Sequence, residues 1–153
     1  MKKNTIPQDY ANNLIYDLQK AFWDERGKGA RFRTTTVGRE YFLEKCLDLI
    51  QSSDVDHIIQ TICEVIQDEN IAVSASFSID DRLLQIQVEG CIHLQVEKKL
   101  IEHGVEPFTC VPANLIVLAI EEKLDRPVEL AEVKIEDAVC NIQLVLFDER
   151  PSL

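Results

Sequence analysis

Apolar residues recur at helical spacing through the first part of the chain. Tyr10, Leu14, Leu18 and Phe22 fall every fourth position, and Ala11, Ile15 and Ala21 widen the stripe. That pattern predicts an amphipathic helix from Gln8 to Asp24, ending before Gly27. Pro7 sits where a first-turn proline is tolerated. Beyond a glycine-containing loop, Phe42, Cys46, Leu49 and Ile50 share one face of a second helix within Gly38 to Gln51. Ser53 and Asp54 offer a cap for a third helix, whose stripe is Val55, Ile58, Ile59, Ile62, Cys63 and Ile66.

From Ile71 the period changes to two. Val73, Ala75, Phe77 and Ile79 alternate with small polar residues, Asp80-Asp81 makes a tight turn, and Leu84, Ile86 and Val88 alternate with Gln85, Gln87 and Glu89. This predicts an antiparallel hairpin. Between Cys91 and Val96 two patterns fit equally: a strand continuing through Ile92 and Leu94, or a helix opening near His93 and closing at Gly104, a good residue just past a helix end. Pro107 and Pro112 bracket a linker. Leu115, Ile116, Ala119, Ile120 and Leu124 then give a helix that stops before Pro127, and Val128–Ile135 and Asn141–Phe147 pair as a second hairpin through a short connection. The fold class expected is α+β: N-terminal helices packed on an antiparallel sheet that holds a central and a C-terminal hairpin, with a helix between them.

At 153 residues the chain suits one domain over 1–153, with a helical half at 8–67 and a sheet half at 71–147. A chain of that length buries roughly 70% of its unfolded surface. Glu149 to Leu153 reads as a tail. No stretch approaches the run of about 18 apolar residues that a membrane helix needs, and the lysines at the N-terminus lead into no apolar segment of an export signal. The cytoplasm is the expected location. The net charge of −11 argues against direct nucleic-acid binding, which draws on counterions displaced by Lys and Arg. The basic cluster Arg26, Lys28, Arg31 and Arg33 reads as a solvated loop. The five cysteines, an odd number without an export signal, are expected to be reduced.

Cys46 and Cys63 lie on apolar stripes and read as core filler. Cys91, His93, Cys110 and Cys140 are the candidates for chemistry. On an extended segment Cys91 and His93 point to the same face, and thiolates with an imidazole select zinc, or iron in some settings. No Cys-x-x-Cys pair is present, so the alternative stays open that each thiol is packed in the core and the histidine lies at the surface. Phosphate-binding glycine loops, His-Glu-x-x-His and a glycine-flanked serine are all absent, and no feature of the chain marks it as an enzyme. The carboxylates Glu121, Glu122, Glu129, Glu132, Glu136 and Asp137 read as a solvated face, His57 and His103 as exposed, and Phe22 and Trp23 as core or interface.

The runs Val88-Glu89-Gly90-Cys91-Ile92-His93, Leu100 through Cys110, Val128 through Glu136 and Cys140 through Phe147 resemble the 4-vinyl-reductase (hydrocarbon-binding) domain, whose fold is similar to that of transport-particle subunits. The resemblance spans about residues 71 to 147. It places Cys91 at the end of the central hairpin, Cys110 before the helix, Cys140 in the closing cysteine pair and Glu136 near an acidic position. The chain departs from the family at Val111-Pro112-Ala113-Asn114, where a glycine-containing segment is usual, and by having Cys140 alone where two cysteines flank a glycine. His93 could replace a missing ligand. The resemblance implies a ligand-binding or scaffold domain and a homodimer built through the N-terminal helices. The first reading is a small-molecule-binding, sensor-like domain that takes a small apolar or aromatic compound in an apolar pocket between the sheet and the helices, with zinc or iron at Cys91, His93, Cys110 and Cys140. The alternatives are a homodimeric interaction scaffold without ligand and an enzyme or carrier acting on a tetrapyrrole or other aromatic.

Overall fold

The computed structural model describes residues 5–32 and 37–148, with the backbone alone for Arg31 and Phe32. Met1 to Asn4, Arg33 of the basic cluster and the tail from Glu149 to Leu153 lie outside the described residues. Helix α1 (Gln8–Arg26) leads through a 3-10 turn (Gly27–Phe32), where a loop was expected, to α2 (Arg39–Lys45) and α3 (Val55–Asp68). Strands β1 (Ser74–Asp80) and β2 (Leu83–Glu89) form the first hairpin. Helices α4 (Leu94–Glu102) and α5 (Val111–Leu124) follow, then β3 (Val128–Glu136) and β4 (Val139–Leu146). The fold is α+β, with all neighbouring strands antiparallel in the order β1-β2-β4-β3. The last strand therefore fills the middle of the sheet and joins the two hairpins.

Register explains the alternation. Phe77, Ile86, Ile142 and Val133 lie in one cross-strand row, and Ala75, Val88, Cys140 and Ile135 in the next, so one face of the sheet is apolar. Ser76, Gln87 and Asn141 line up on the other. α3 and α5 cover the apolar face. Ile58, Ile59, Ile62 and Ile66 of α3 are fully buried, and α5 is buried without a break from Pro112 to Ile120. A helix apolar all round must be a core element, which makes α5 the axis of the molecule. Cys46 and Cys63 are buried in the same core, as their stripes predict. The side chains between the sheet and these helices form one buried core cluster.

Three further departures from the sequence-based expectations concern the helices. The second helix breaks at Cys46, where the backbone turns to φ −115°, and continues as the 3-10 turn Leu47–Leu49. Asp54 does not cap α3 through its side chain; the Ser52 hydroxyl instead accepts a hydrogen bond from the Asp54 N–H at 2.9 Å. The α1 stripe faces water: Tyr10, Leu14 and Leu18 are 61%, 51% and 67% exposed, while Asn12 and Tyr16 are buried. Periodicity identifies a face but not which face its neighbours cover.

The ambiguity after the first hairpin is settled by Gly90. Its φ of +66° belongs to the left-handed region that glycine enters freely, and it turns the chain out of the sheet so that α4 can start at Leu94. A Cβ at this position would lie 2.6 Å from Val73 Cγ2. Gly90→Ala should therefore destabilise the fold by about 2 kcal/mol, part from backbone strain and part from overlap. Urea unfolding should show that adding Val73→Ala recovers the overlap part and leaves the strain.

Candidate functional site

The turn from Gly90 to His93 brings distant residues together. The Gly90 N–H donates to the Ala138 carbonyl at 3.0 Å and the Ile92 N–H to the Ile71 carbonyl at 2.9 Å, tying the turn to the β3–β4 connection and to the entry to β1. From the other side, the side-chain amides of Gln8 and buried Asn12 on α1 both donate to the Ile92 carbonyl at 3.1 Å. Cys91 is held at the mouth of the sheet. Cys140 enters from β4 one row away, opposite Val88, and Cys110 comes from the residue preceding α5. All three thiols are buried and reduced.

Between them lies Glu97, on the inner face of α4 and only 4% exposed. The Cys140 thiol donates to Glu97 Oε2 at 3.5 Å. The four groups feel one another electrostatically. Burial raises Cys91 to about 11, with Glu97 adding to the rise against the His93 backbone N–H, which donates to Cys91 Sγ at 3.4 Å. Burial pushes Cys110 well above the usual thiol range, with Glu97, Cys91 and Cys140 contributing. Burial, then Glu97, also pushes Cys140 well above that range. Burial likewise lifts the Glu97 carboxyl to about 7, opposed by the Cys140 hydrogen bond. At neutral pH without a cation the cluster is thus a set of protonated thiols around a half-titrated acid. Thiols in this state are poor nucleophiles.

The structure therefore brings three of the four residues expected from the sequence together around an acid that was not expected. His93 is the N-cap residue of α4, half-buried, and burial alone lowers its pKa. Glu97 takes the inward place one turn further on. A signal for it exists in the sequence: it lies on the same helical face as Val96 and Leu100, and a carboxylate on an apolar stripe has to be accounted for. Thiols and a carboxylate are the donor types that a borderline-soft dication accepts, so the chemistry of the set fits zinc. As the side chains stand, no three His, Cys, Asp or Glu groups among the described residues close tightly enough to grip an ion.

A second feature adjoins the cluster. Ile15, Leu18, Gln19 and Phe22 of α1 face Val37, Phe108 and Thr109 across a hollow of about 430 Å³, apolar in its lining and open on one side. Phe108 anchors its floor and meets Trp23 and Phe22 with ring centroids 5.5 and 6.4 Å away. Buried Asn114 of α5 braces the wall by donating to the Val37 carbonyl at 3.0 Å and to the Thr109 hydroxyl at 3.3 Å.

His57 is exposed, as are His103 and the acidic side chains Glu122, Glu129, Glu132, Glu136 and Asp137, while Glu121 is partly covered. Glu136 pairs with Lys134 at 3.6 Å and takes no part in the thiol cluster. Among the described residues no helix is long and apolar enough to cross a membrane. No protein-family profile matches the chain, and no curated protein sequence matches it.

Proposed function

We propose that the chain is a cytoplasmic, small-molecule-binding, sensor-like domain of the 4-vinyl-reductase type. It takes a small apolar or aromatic compound in the α1 hollow and holds a zinc or iron ion at the thiols of Cys91, Cys110 and Cys140. The observation that carries this reading is the hollow itself. Its volume of about 430 Å³ falls in the range of small-molecule sites, and an apolar wall with a few polar groups is their usual composition. The segment from Phe108 to Cys110 links the two features, since Phe108 and Thr109 line the hollow and Cys110 belongs to the thiol cluster. A compound pressing on Phe108 acts two residues from a cluster thiol, which is the coupling a sensor needs.

Titration with the neutral apolar dye Nile red tests the reading. Saturable fluorescence gain is expected, and Leu18→Glu, at a residue 67% exposed and so free of folding cost, should weaken binding about tenfold, equivalent to about 1.4 kcal/mol. Unsaturable binding, or a Leu18→Glu variant that binds as well as the parent, would remove the hollow as the site. The scaffold reading draws on the exposed row of Tyr10, Leu14 and Leu18 on α1, an apolar stripe suited to a second copy's α1. A solution mass twice that of the chain, with a hollow closed to dye, favours that reading instead.

A further inference from the structure

We infer that the outer edge of β1 is a dimerisation surface, on which a second copy of this chain adds its own β1, antiparallel about a twofold axis between the two Ser78 residues. The sheet order leaves β1 and β3 as the outer strands. β3 is defended: it is irregular between Leu130 and Glu132 and carries Glu129, Glu132, Lys134 and Glu136. Bulges and charges are the means by which an edge strand refuses a neighbour. β1 has no such defence. From Ser74 to Asp80 it pairs with β2 without a slip, and its one charged residue, Asp80, stands at the end beside the turn.

The ladder shows which atoms are open. The Leu146 N–H donates to the Arg82 carbonyl at 2.8 Å, so in this register the even-numbered residues of β2 bond to β4 and the odd-numbered ones to β1. Glu89, Gln87 and Gln85 then exchange bonds with Ser74, Ser76 and Ser78, and the backbone N–H and C=O groups of Ala75, Phe77 and Ile79 turn outwards. The Ala75 N–H donates to Gln67 Oε1 at 3.0 Å, as an outward group can. Phe77 and Ile79 remain. A second β1 that sets Phe77 against the partner's Ile79 exchanges both backbone bonds with it, twice over by symmetry, and leaves the Gln67 bond in place. That register is complementary on both faces. On the apolar side, half-buried Phe77 meets the partner's Ile79, an aromatic against a β-branched side chain. On the other, Ser78 meets the partner's Ser78 across the axis and Ser76 meets the partner's Asp80. No acid of the strand faces an acid, which matters for chains of net charge −11. None of the residues lining the α1 hollow lies on β1, so the two surfaces are separate.

The test is sedimentation of the whole reduced chain in about 0.15 M salt as its concentration is raised. The parent should pass from monomer to dimer. Ser78 is exposed, so replacing it carries little folding cost, and on the axis each new side chain meets its own copy. Ser78→Lys alone and Ser78→Glu alone should each raise the dissociation constant about tenfold. An equal mixture of the two variants should recover the parent's value, because opposite charges then face each other across the axis. Leu18→Glu, on α1, should dimerise as the parent does. A parent that stays monomeric would overturn the inference and leave the edge to a strand of another protein. A dimer untouched by both Ser78 substitutions and lost in Leu18→Glu would overturn it in favour of contact through α1, and failure of the mixture to recover would overturn the twofold register.

Discussion

Glu97→Gln should make the metal-free chain more stable at pH 8 by about 2–3 kcal/mol, and the gain should vanish near pH 4. Burial raises the native-state carboxyl from its ordinary 4.5 to about 7, so the native state binds the proton more tightly than the unfolded chain does. Below about pH 4.5 both states are protonated and the acid costs the fold little. As pH rises from there towards 7, the unfolded chain releases its proton while the native state retains it, and stability falls. Above 7 the penalty levels off at about 3 kcal/mol, the free energy of a shift of that size. The neutral amide has no such window. Urea unfolding in chelator and reductant, from pH 4 to 8, should give parent and variant curves that separate with rising pH. Parallel curves would mean that Glu97 meets water.

Phe108→Ala should cost about 3 kcal/mol, at the low end of the range for a buried phenylalanine because the adjoining hollow admits water. Phe108 is 4% exposed and anchors the smaller cluster of Tyr16, Ala30, Val96, Leu100 and Val105, against which Phe22 and Trp23 of α1 pack. Without it α1 keeps the tilted stack of Tyr16 on His103 and the Lys99 ammonium 4.5 Å above the Tyr16 ring. The far end of the helix should then loosen first. Hydrogen exchange should show protection lost around Phe22 and Trp23 and preserved in α3 and α5. A loss under about 1 kcal/mol, with α1 protection intact, would mean that the helix docks by other contacts.

Much of this fold is legible in the chain because its strongest periodicities belong to its most buried elements. α3 carries a stripe of isoleucines and the first hairpin alternates without a slip, and both form where their patterns predict. The helix read from Leu115, Ile116, Ala119, Ile120 and Leu124 forms as α5, but its burial on every side follows from its place between α3 and the sheet. Legibility fails where tertiary partners decide. The α1 stripe is a true helical face, yet α4 and the Gly90–His93 turn claim the opposite side, through Asn12 and Tyr16. The order β1-β2-β4-β3 depends on β4 fitting between two strands, which no local pattern encodes.

The candidate site divides along the same line. Cys91, Cys110 and Cys140 are visible as thiols in the sheet half, and their meeting follows from the strand order, which sets Cys140 beside the strand that ends before Cys91. The pairing of Cys91 with His93 assumes an extended segment. The left-handed turn at Gly90 replaces it with a helix start, and the inward place passes to Glu97. An acid within an amphipathic stripe is the local sign of that substitution.

The measurement closest to the centre of this account is the carboxyl carbon resonance of Glu97, assigned by comparison with Glu97→Gln and followed against pH in chelated, reduced protein. A carboxyl enclosed by Cys91, Cys110 and Cys140 should titrate with a midpoint near 7. A midpoint near 4.5, the ordinary value, would place the side chain in water and contradict the enclosed thiol–carboxyl cluster on which the site depends.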